Sequence, residues 1–294
     1  MKVIILGADG MLGHKIFSFF CDKGLNVIGT IKKINANNEL FITKYKKNIK
    51  TGFNAGNIED FKKLFCLEKP NHIINCIGII KQLDASNNPV TSISINSLFP
   101  HKLAQICKEY DIKLIHFSTD CVFNGSRGNY SEEDCPDAID LYGRSKLLGE
   151  ITYGKNMTIR TSIIGHELGT KNGLIEWFLS ENKQVKGYLN SIFTGFPTIE
   201  IANILYKKIL SSNLTGLYHV SSNPISKFDL LKIINKIYGK NIEIIPFENK
   251  IENRSLNSEK FRIATGYQSP EWVELINNMH EDYKNSDYYH RGNS

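Results

Sequence analysis

Tyr142 and Lys146 stand four residues apart in the run Tyr142-Gly143-Arg144-Ser145-Lys146, the spacing that puts two side chains on one face of a helix. An ammonium so placed can lie beside a phenol and favour its ionised form. A free tyrosine, with a pKa of ~10, is too weak an acid for efficient proton transfer at neutral pH. Lowering it by ~2 to 3 units needs only ~3 to 4 kcal/mol of differential stabilisation, and Lys146 is the group to supply part of it. Twenty-three residues before Tyr142 lies Thr119, where an apolar run closes in Ser118-Thr119-Asp120. Thr119 at a strand end would hydrogen-bond the oxygen that Tyr142 protonates. Such a set handles the proton in the reduction of a carbonyl.

The hydride donor is sought at the start of the chain. Lys2-Val3-Ile4-Ile5-Leu6 reads as a buried strand and runs directly into Gly7-Ala8-Asp9-Gly10-Met11-Leu12-Gly13. Gly7 permits the tight turn, Gly10 lets backbone approach a pyrophosphate, and Gly13 lets the new helix pack on the sheet. Asp9, Met11 and Leu12 belong to the same dinucleotide contact. At the end of the second strand an acid would hold the ribose of NAD, whereas a base accommodates the extra phosphate of NADP. The residues there are Thr30-Ile31-Lys32-Lys33, with no acid between Asp22 and Glu39. NADPH is therefore expected, with Lys32 or Lys33 near the phosphate and NADH as the alternative. The cationic nicotinamide of the oxidised cofactor would add to the pull of Lys146 on the phenol.

These residues need a scaffold, and the first 165 residues alternate strand and helix patterns. Strands are expected at Lys2 to Gly7, Asn26 to Thr30, His72 to Ile77, Lys113 to Ser118 and Met157 to Thr161. Leu12, Ile16, Phe19 and Phe20 form an apolar stripe that packs a helix on a sheet. Further helices fit Ile58 to Cys66, Ser97 to Tyr110 and Tyr142 to Tyr153. Repeated units of this kind imply an α/β fold, a Rossmann-type doubly wound parallel sheet. Beyond Thr161 the rhythm changes. Helices fit Asn172 to Glu181, Thr198 to Ser211 with Thr198 as N-cap, Ser226 to Tyr238 and Glu271 to Tyr283; strands fit Gly216 to Val220 and Ile242 to Pro246. The expected division is a dinucleotide-binding domain over 1–165, joined by about 196–220, and a smaller C-terminal substrate lobe within 166–294. The tail from Asn285 to Ser294 is polar and expected to be loose.

Composition narrows the class. The chain has 294 residues, 41% hydrophobic and 22% charged, ordinary for a globular protein. No apolar run approaches the ~20 residues of a membrane span. Met1-Lys2 leads straight into a strand without a signal-peptide pattern, so a cytoplasmic location and no membrane partner are expected. Six cysteines have no Cys-x-x-Cys spacing and read as buried apolar side chains, so no metal site is expected. A net charge of +6 without a basic, aromatic-interleaved run argues against a nucleic-acid partner.

Gly7 to Gly13, Ser118-Thr119-Asp120-Cys121-Val122-Phe123-Asn124-Gly125 and Tyr142-Gly143-Arg144-Ser145-Lys146-Leu147-Leu148-Gly149-Glu150 together resemble the extended short-chain dehydrogenase/reductases. Within them the chain is most similar to the dTDP-4-dehydrorhamnose reductase group, over nearly its whole length. That resemblance implies NADPH-dependent reduction of the 4-keto group of a nucleotide-linked 6-deoxysugar, for cell-surface polysaccharide. It implies Thr119, Tyr142 and Lys146 as the catalytic set, Cys76, Ile77 and Gly78 beside the cofactor, and Asn96 on the helix behind it. Lys81, Ser118, Asp120, Cys121, Trp177 and Arg254 are the implied substrate contacts. Gly195-Phe196-Pro197-Thr198 and Gly216-Leu217-Tyr218-His219 resemble a turn and a returning strand of the group. The nucleotide sugar would be the small-molecule partner, and the resemblance admits a homodimer.

The chain departs from the pattern at two places. Asn57 stands where the group often carries an acid on the adenine amino group, and an amide carbonyl can accept the same hydrogen bond. The segment Lys250-Ile251-Glu252-Asn253-Arg254-Ser255-Leu256 lacks the Arg-Pro of the group, which leaves the particular sugar open. A dehydratase needs an extra acid directly after Asp120, and the thiol of Cys121 is a poor substitute. A 4-epimerase with retained cofactor and a non-catalytic dinucleotide-binding regulatory subunit stay as alternatives.

Overall fold

The computed structural model describes residues 1–81 and 87–289. Six strands of the first half, β1 (Lys2–Leu6), β2 (Asn26–Thr30), β3 (Ile49–Lys50), β4 (His72–Asn75), β5 (Lys113–Ser118) and β6 (Met157–Arg160), form one sheet with a late strand, β11 (Gly216–His219). The order is β11-β6-β5-β4-β1-β2-β3, and every neighbouring pair is parallel. This is the expected doubly wound sheet, with the strand order reversing between β1 and β4, where a crevice opens at the carboxyl ends.

Both faces are covered because the strands are apolar on both sides. Along β1, Val3 and Ile5 enter one core with Ile16, Phe17 and Phe20 of α1 (Met11–Asp22). Ile4 and Leu6, pointing the other way, enter a second core with Phe61 and Phe65 of α3 (Ile58–Glu68) and Phe99 and Leu103 of α5 (Phe99–Glu109). The remaining helices are α2 (Glu39–Lys44), α4 (Pro89–Ser92), α6 (Leu141–Leu148), α7 (Leu174–Ser180), α8 (Thr198–Ile204), α9 (Lys227–Ile237), α10 (Glu259–Thr265) and α11 (Trp272–Asn285).

Small sheets build the C-terminal half. β7 (Ile163–Ile164) pairs with β10 (Phe196–Pro197), and β8 (Val185–Tyr188) with β13 (Ile244–Phe247). β9 (Ser191–Phe193) lies between β12 (Ile225–Ser226) and β14 (Glu252–Asn253). The chain returns to the main sheet through α8, which packs on α1, and β11, which pairs with β6. Among the described residues no helix is long and apolar enough to cross a membrane.

Several boundaries differ from the sequence expectation. Thr198 is the first residue of α8 rather than its cap, a place taken by Pro197 without a side-chain hydrogen bond. α6 stops at Leu148 with Gly149 as its C-cap, which lies against the Asn96 carbonyl, where an added Cβ would come within 1.9 Å of that oxygen. The helix expected from Ser97 begins at Pro89 and passes through a wide π-type segment, Ile93–Leu98, before α5; Pro100 has no N–H to continue regular pairing there. Three short strands also lie within residues 185–197, where no strand is expected from the sequence. Of the tail expected to be loose, Asp287–Tyr289 docks as a turn with Tyr288 buried, and residues 290–294 lie outside the described residues.

Candidate active site

A cleft of about 920 Å³ opens at the carboxyl ends of β1, β4 and β5. One wall is the glycine turn. Gly7 has φ +75°, a conformation open to glycine, and a Cβ on Gly13 would lie 2.0 Å from the Gly7 oxygen, so only glycine lets α1 start this close to β1. Asp9, Gly10, Met11 and Leu12 line the cleft, bringing the start of α1 to its wall. Asp9 accepts from Asn38 Nδ2 at 3.0 Å, which ties the turn to the loop after β2. Exposed helix-start amides and a floor without side-chain bulk fit the pyrophosphate of a dinucleotide.

β5 delivers the second group. Thr119 follows its last residue and caps the short turn Asp120–Val122, its Oγ1 accepting from the Cys121 amide at 3.1 Å. α6 then lies flat on this turn, because Gly143 has no side chain: a Cβ there would sit 2.2 Å from the Cys121 carbonyl oxygen. Asp140 caps α6 by accepting from the Gly143 amide at 2.8 Å. The approach brings the phenol of Tyr142 beside Thr119. Lys146, one turn on, is buried and donates to the Phe117 carbonyl at 2.6 Å.

The electrostatics differ from the sequence expectation. Burial pushes the Tyr142 phenol above the ordinary tyrosine value, with Cys121 adding to the rise and Thr119 opposing it. Lys146 is not what acts most on the phenol, since its ammonium is turned to the Phe117 carbonyl. Its own pKa is pushed down to about 8 by burial, against Glu150 and Cys76. Burial likewise pushes the Cys121 thiol up to about 12, so it stays protonated and unreactive. Ser118 donates to Glu150 at 2.6 Å, and Glu150 grips Arg160 through two contacts of 2.7 Å.

A charged rim faces this set from the other half of the molecule. Arg254 donates to the Phe123 carbonyl at 2.9 Å, pairs with Glu252 at 2.7 Å and reaches the Cys121 sulfur at 3.7 Å. Lys250 and Lys227 lie 3.6 and 3.9 Å from the same Glu252. Burial would raise the Glu252 carboxyl, but Arg254, Lys227 and Lys250 outweigh it and hold it low. Lys81 pairs with Asp140 at 2.8 Å.

The structure thus gathers Asp9, Gly10, Met11, Leu12, Cys76, Ile77, Gly78, Lys81, Ser118, Thr119, Asp120, Cys121, Tyr142, Lys146, Trp177 and Arg254 around one cleft. Gly7 supports the turn from beneath. Lys32, Lys33 and Asn57 are exposed and do not line it. Asn57 donates instead to Asp60 at 2.7 Å. Asn96, behind the wall, holds it by accepting from the Ile79 amide at 2.8 Å and donating to Ser145 at 3.1 Å. Sequence reasoning missed Asn35, Asn37 and Asn38, which take the place on the wall expected of the lysines; the asparagine-rich run after β2 was the available signal. It also missed Lys227, which lies on α9, and assigned no role to Lys250 and Glu252, although both fall in the segment Lys250 to Leu256 that carries Arg254. Among the described residues no group of histidine, cysteine and acidic side chains could hold a metal ion.

The family model described as the RmlD substrate binding domain matches residues 1–285. A dTDP-4-dehydrorhamnose reductase of Aggregatibacter actinomycetemcomitans is 27% identical over 305 residues, covering 95% of this chain and 98% of that one. A methionine adenosyltransferase 2 subunit beta of Xenopus laevis is 24% identical over 246 residues, covering 78% and 70% respectively. Among solved structures, a dTDP-4-dehydrorhamnose reductase from Bacillus anthracis in complex with NADP matches with a TM-score of 0.79 at 21% identity, over 96% of this chain and 99% of that one. At that identity the likeness is one of fold.

Proposed function

This chain belongs to the RmlD substrate binding domain family, and from that premise we propose that it is an NADPH-dependent oxidoreductase that reduces the 4-keto group of a nucleotide-linked 6-deoxysugar. The observation that carries this reading is the contact of Tyr142 with Thr119 beside buried Lys146, on a cleft whose far wall is a dinucleotide turn. The bound cofactor would supply hydride to the carbonyl carbon. Residues of the glycine turn and the Cys76-Ile77-Gly78 loop hold it. Thr119 donates a hydrogen bond to the sugar oxygen, and Tyr142 gives that oxygen its proton as negative charge develops. Lys146 stands as the cation behind them, and its lowered pKa lets it pass a proton near neutrality. The thiol of Cys121 is a poor substitute for the carboxylic acid that would protonate a leaving hydroxyl, and burial weakens it further as an acid, which argues against dehydration.

In this reading, residues 1–165 with about 196–220 hold the cofactor, and the rest of the chain holds the nucleotide sugar against the basic rim of Lys81, Lys227, Lys250 and Arg254. The product is an activated deoxysugar for cell-surface polysaccharide, made in the cytoplasm. The wall residues Asn35, Asn37 and Asn38 carry no charge and Lys32 and Lys33 lie off the cleft, so the preference for NADPH is supported by the structurally similar reductase in complex with NADP rather than by a charged wall. A second reading, a non-catalytic dinucleotide-binding subunit, is kept because a methionine adenosyltransferase subunit is among the relatives; intact Thr119, Tyr142 and Lys146 favour the enzyme. Cofactor oxidation across a panel of dTDP-, UDP-, GDP- and CDP-linked 4-keto sugars tests the proposal. Oxidation with at least one of them is expected, and turnover by protein carrying bound NAD with no added NADPH points to an epimerase instead.

A further inference from the structure

The turn Asp287–Tyr289 is wedged between α1 and the segment that follows β7. Tyr288 accepts from Lys15 Nζ at 2.9 Å and donates to Ser18 at 3.2 Å, while Lys15, itself buried, pairs with Asp282 at 2.5 Å. Tyr289 goes further. Its hydroxyl lies 2.5 Å from His14 Nε2, and His14 Nδ1 lies 2.9 Å from the carbonyl oxygen of Gly10. A carbonyl oxygen only accepts, so Nδ1 carries the hydrogen and Nε2 is the acceptor, which makes the Tyr289 hydroxyl the donor. Burial keeps the imidazole neutral, its pKa pushed down to about 3, so one tautomer persists across working pH.

Gly10 is the capping residue of α1. Its carbonyl also accepts the His14 amide at 2.9 Å, its own amide donates to the Gly7 oxygen at 3.1 Å, and it lines the cleft. On the opposite side the Tyr289 ring lies 5.5 Å from the ring of His166, whose chain neighbour Glu167 lines the same end of the cleft. The turn therefore packs behind the cleft, against His14 of α1 and against His166, whose next residue lines it. Packing alone would be met by a phenylalanine at 289; the hydroxyl adds the bond to His14.

We propose that Tyr289 and His14 are positioning residues for the cofactor: a two-bond relay from the C-terminal turn fixes Gly10 and thereby aims the first amides of α1 at the pyrophosphate. The inference rests on the cofactor reading above. Tyr289→Phe keeps the ring and removes the donor. It should raise the NADPH dissociation constant, read by fluorescence titration, about three- to tenfold, with kcat at saturating cofactor moving less than KM. In a His14→Leu background the same change should raise it no further, because the relay is already cut. The histidine ¹⁵N spectrum of the unaltered protein, which depends on no variant folding, should show His14 with its hydrogen on Nδ1. A lowered melting temperature with unchanged NADPH affinity would reduce the pair to packing and overturn the proposal, as would an Nε2–H tautomer. If the unaltered protein binds no dinucleotide, the cofactor reading itself fails and this inference falls with it.

Discussion

At the scale of single residues, the site pairs a phenol whose pKa is raised with a lysine whose pKa is lowered. Burial keeps Tyr142 protonated but weakens it as an acid, so the positive charge of the oxidised nicotinamide would have to offset the burial for the proton to pass. Tyr142→Phe is expected to lower turnover by about 10² to 10⁴-fold while the NADPH dissociation constant holds; a regulatory subunit would be indifferent to it. Lys146 is cationic below its pKa of about 8 and neutral above it, so turnover should fall along an alkaline limb with its midpoint near that value. In Lys146→Arg, where the cation cannot be lost, residual activity should show no such limb. That Thr119, Tyr142 and Lys146 meet on one cleft was legible in the sequence, because helical spacing and a strand end place them locally. The direction of the phenol's pKa was not: it depends on Lys146 turning to the Phe117 carbonyl, and on burial by groups distant in sequence.

At the scale of elements, α6 is placed by what it lacks. Gly143 lets the helix lie on the turn that carries Thr119, so the Tyr142 to Thr119 contact is set by the interval between two backbones. Gly143→Ala would drive a methyl against the Cys121 carbonyl and Ala138, and a loss of about 1 to 3 kcal/mol in urea unfolding is expected, with a larger proportional loss in kcat than in cofactor affinity. The long strands and α1 were readable from apolar periodicity. The short strands β7 to β10 were not, because two- to four-residue segments carry too little alternation to register and owe their form to partners far along the chain. Lys32 and Lys33 show the same limit, since a charge pattern places a residue on a loop but does not say which way the loop folds.

At the scale of the whole molecule, buried polar groups tie the two halves together. Glu150 joins β5 through Ser118 to β6 through Arg160, and Arg160 reaches His219 of β11 at 3.3 Å. Glu150→Ala would leave Arg160 buried without its carboxylate, and a destabilisation of about 3 to 5 kcal/mol in chemical unfolding is expected. His14 and His219 are held neutral by burial, with pKa values near 3 against 6.5 for a free side chain, and His72 near 4. Between those values the unfolded chain binds more protons than the folded one, so stability should drop as pH falls from 6.5 towards 4, seen as a falling urea midpoint. The doubly wound architecture was legible from the alternation of strand and helix, whereas the docking of the C-terminal turn was not, because a polar tail gives no hint that its two tyrosines find a buried histidine and lysine. The central claim concerns where hydride goes. NADPH carrying deuterium at nicotinamide C4 should deliver it to C4 of a nucleotide-linked 4-keto-6-deoxysugar, one label per molecule reduced; product formed without label at that carbon, or no product from any such sugar while NADPH binds, would contradict it.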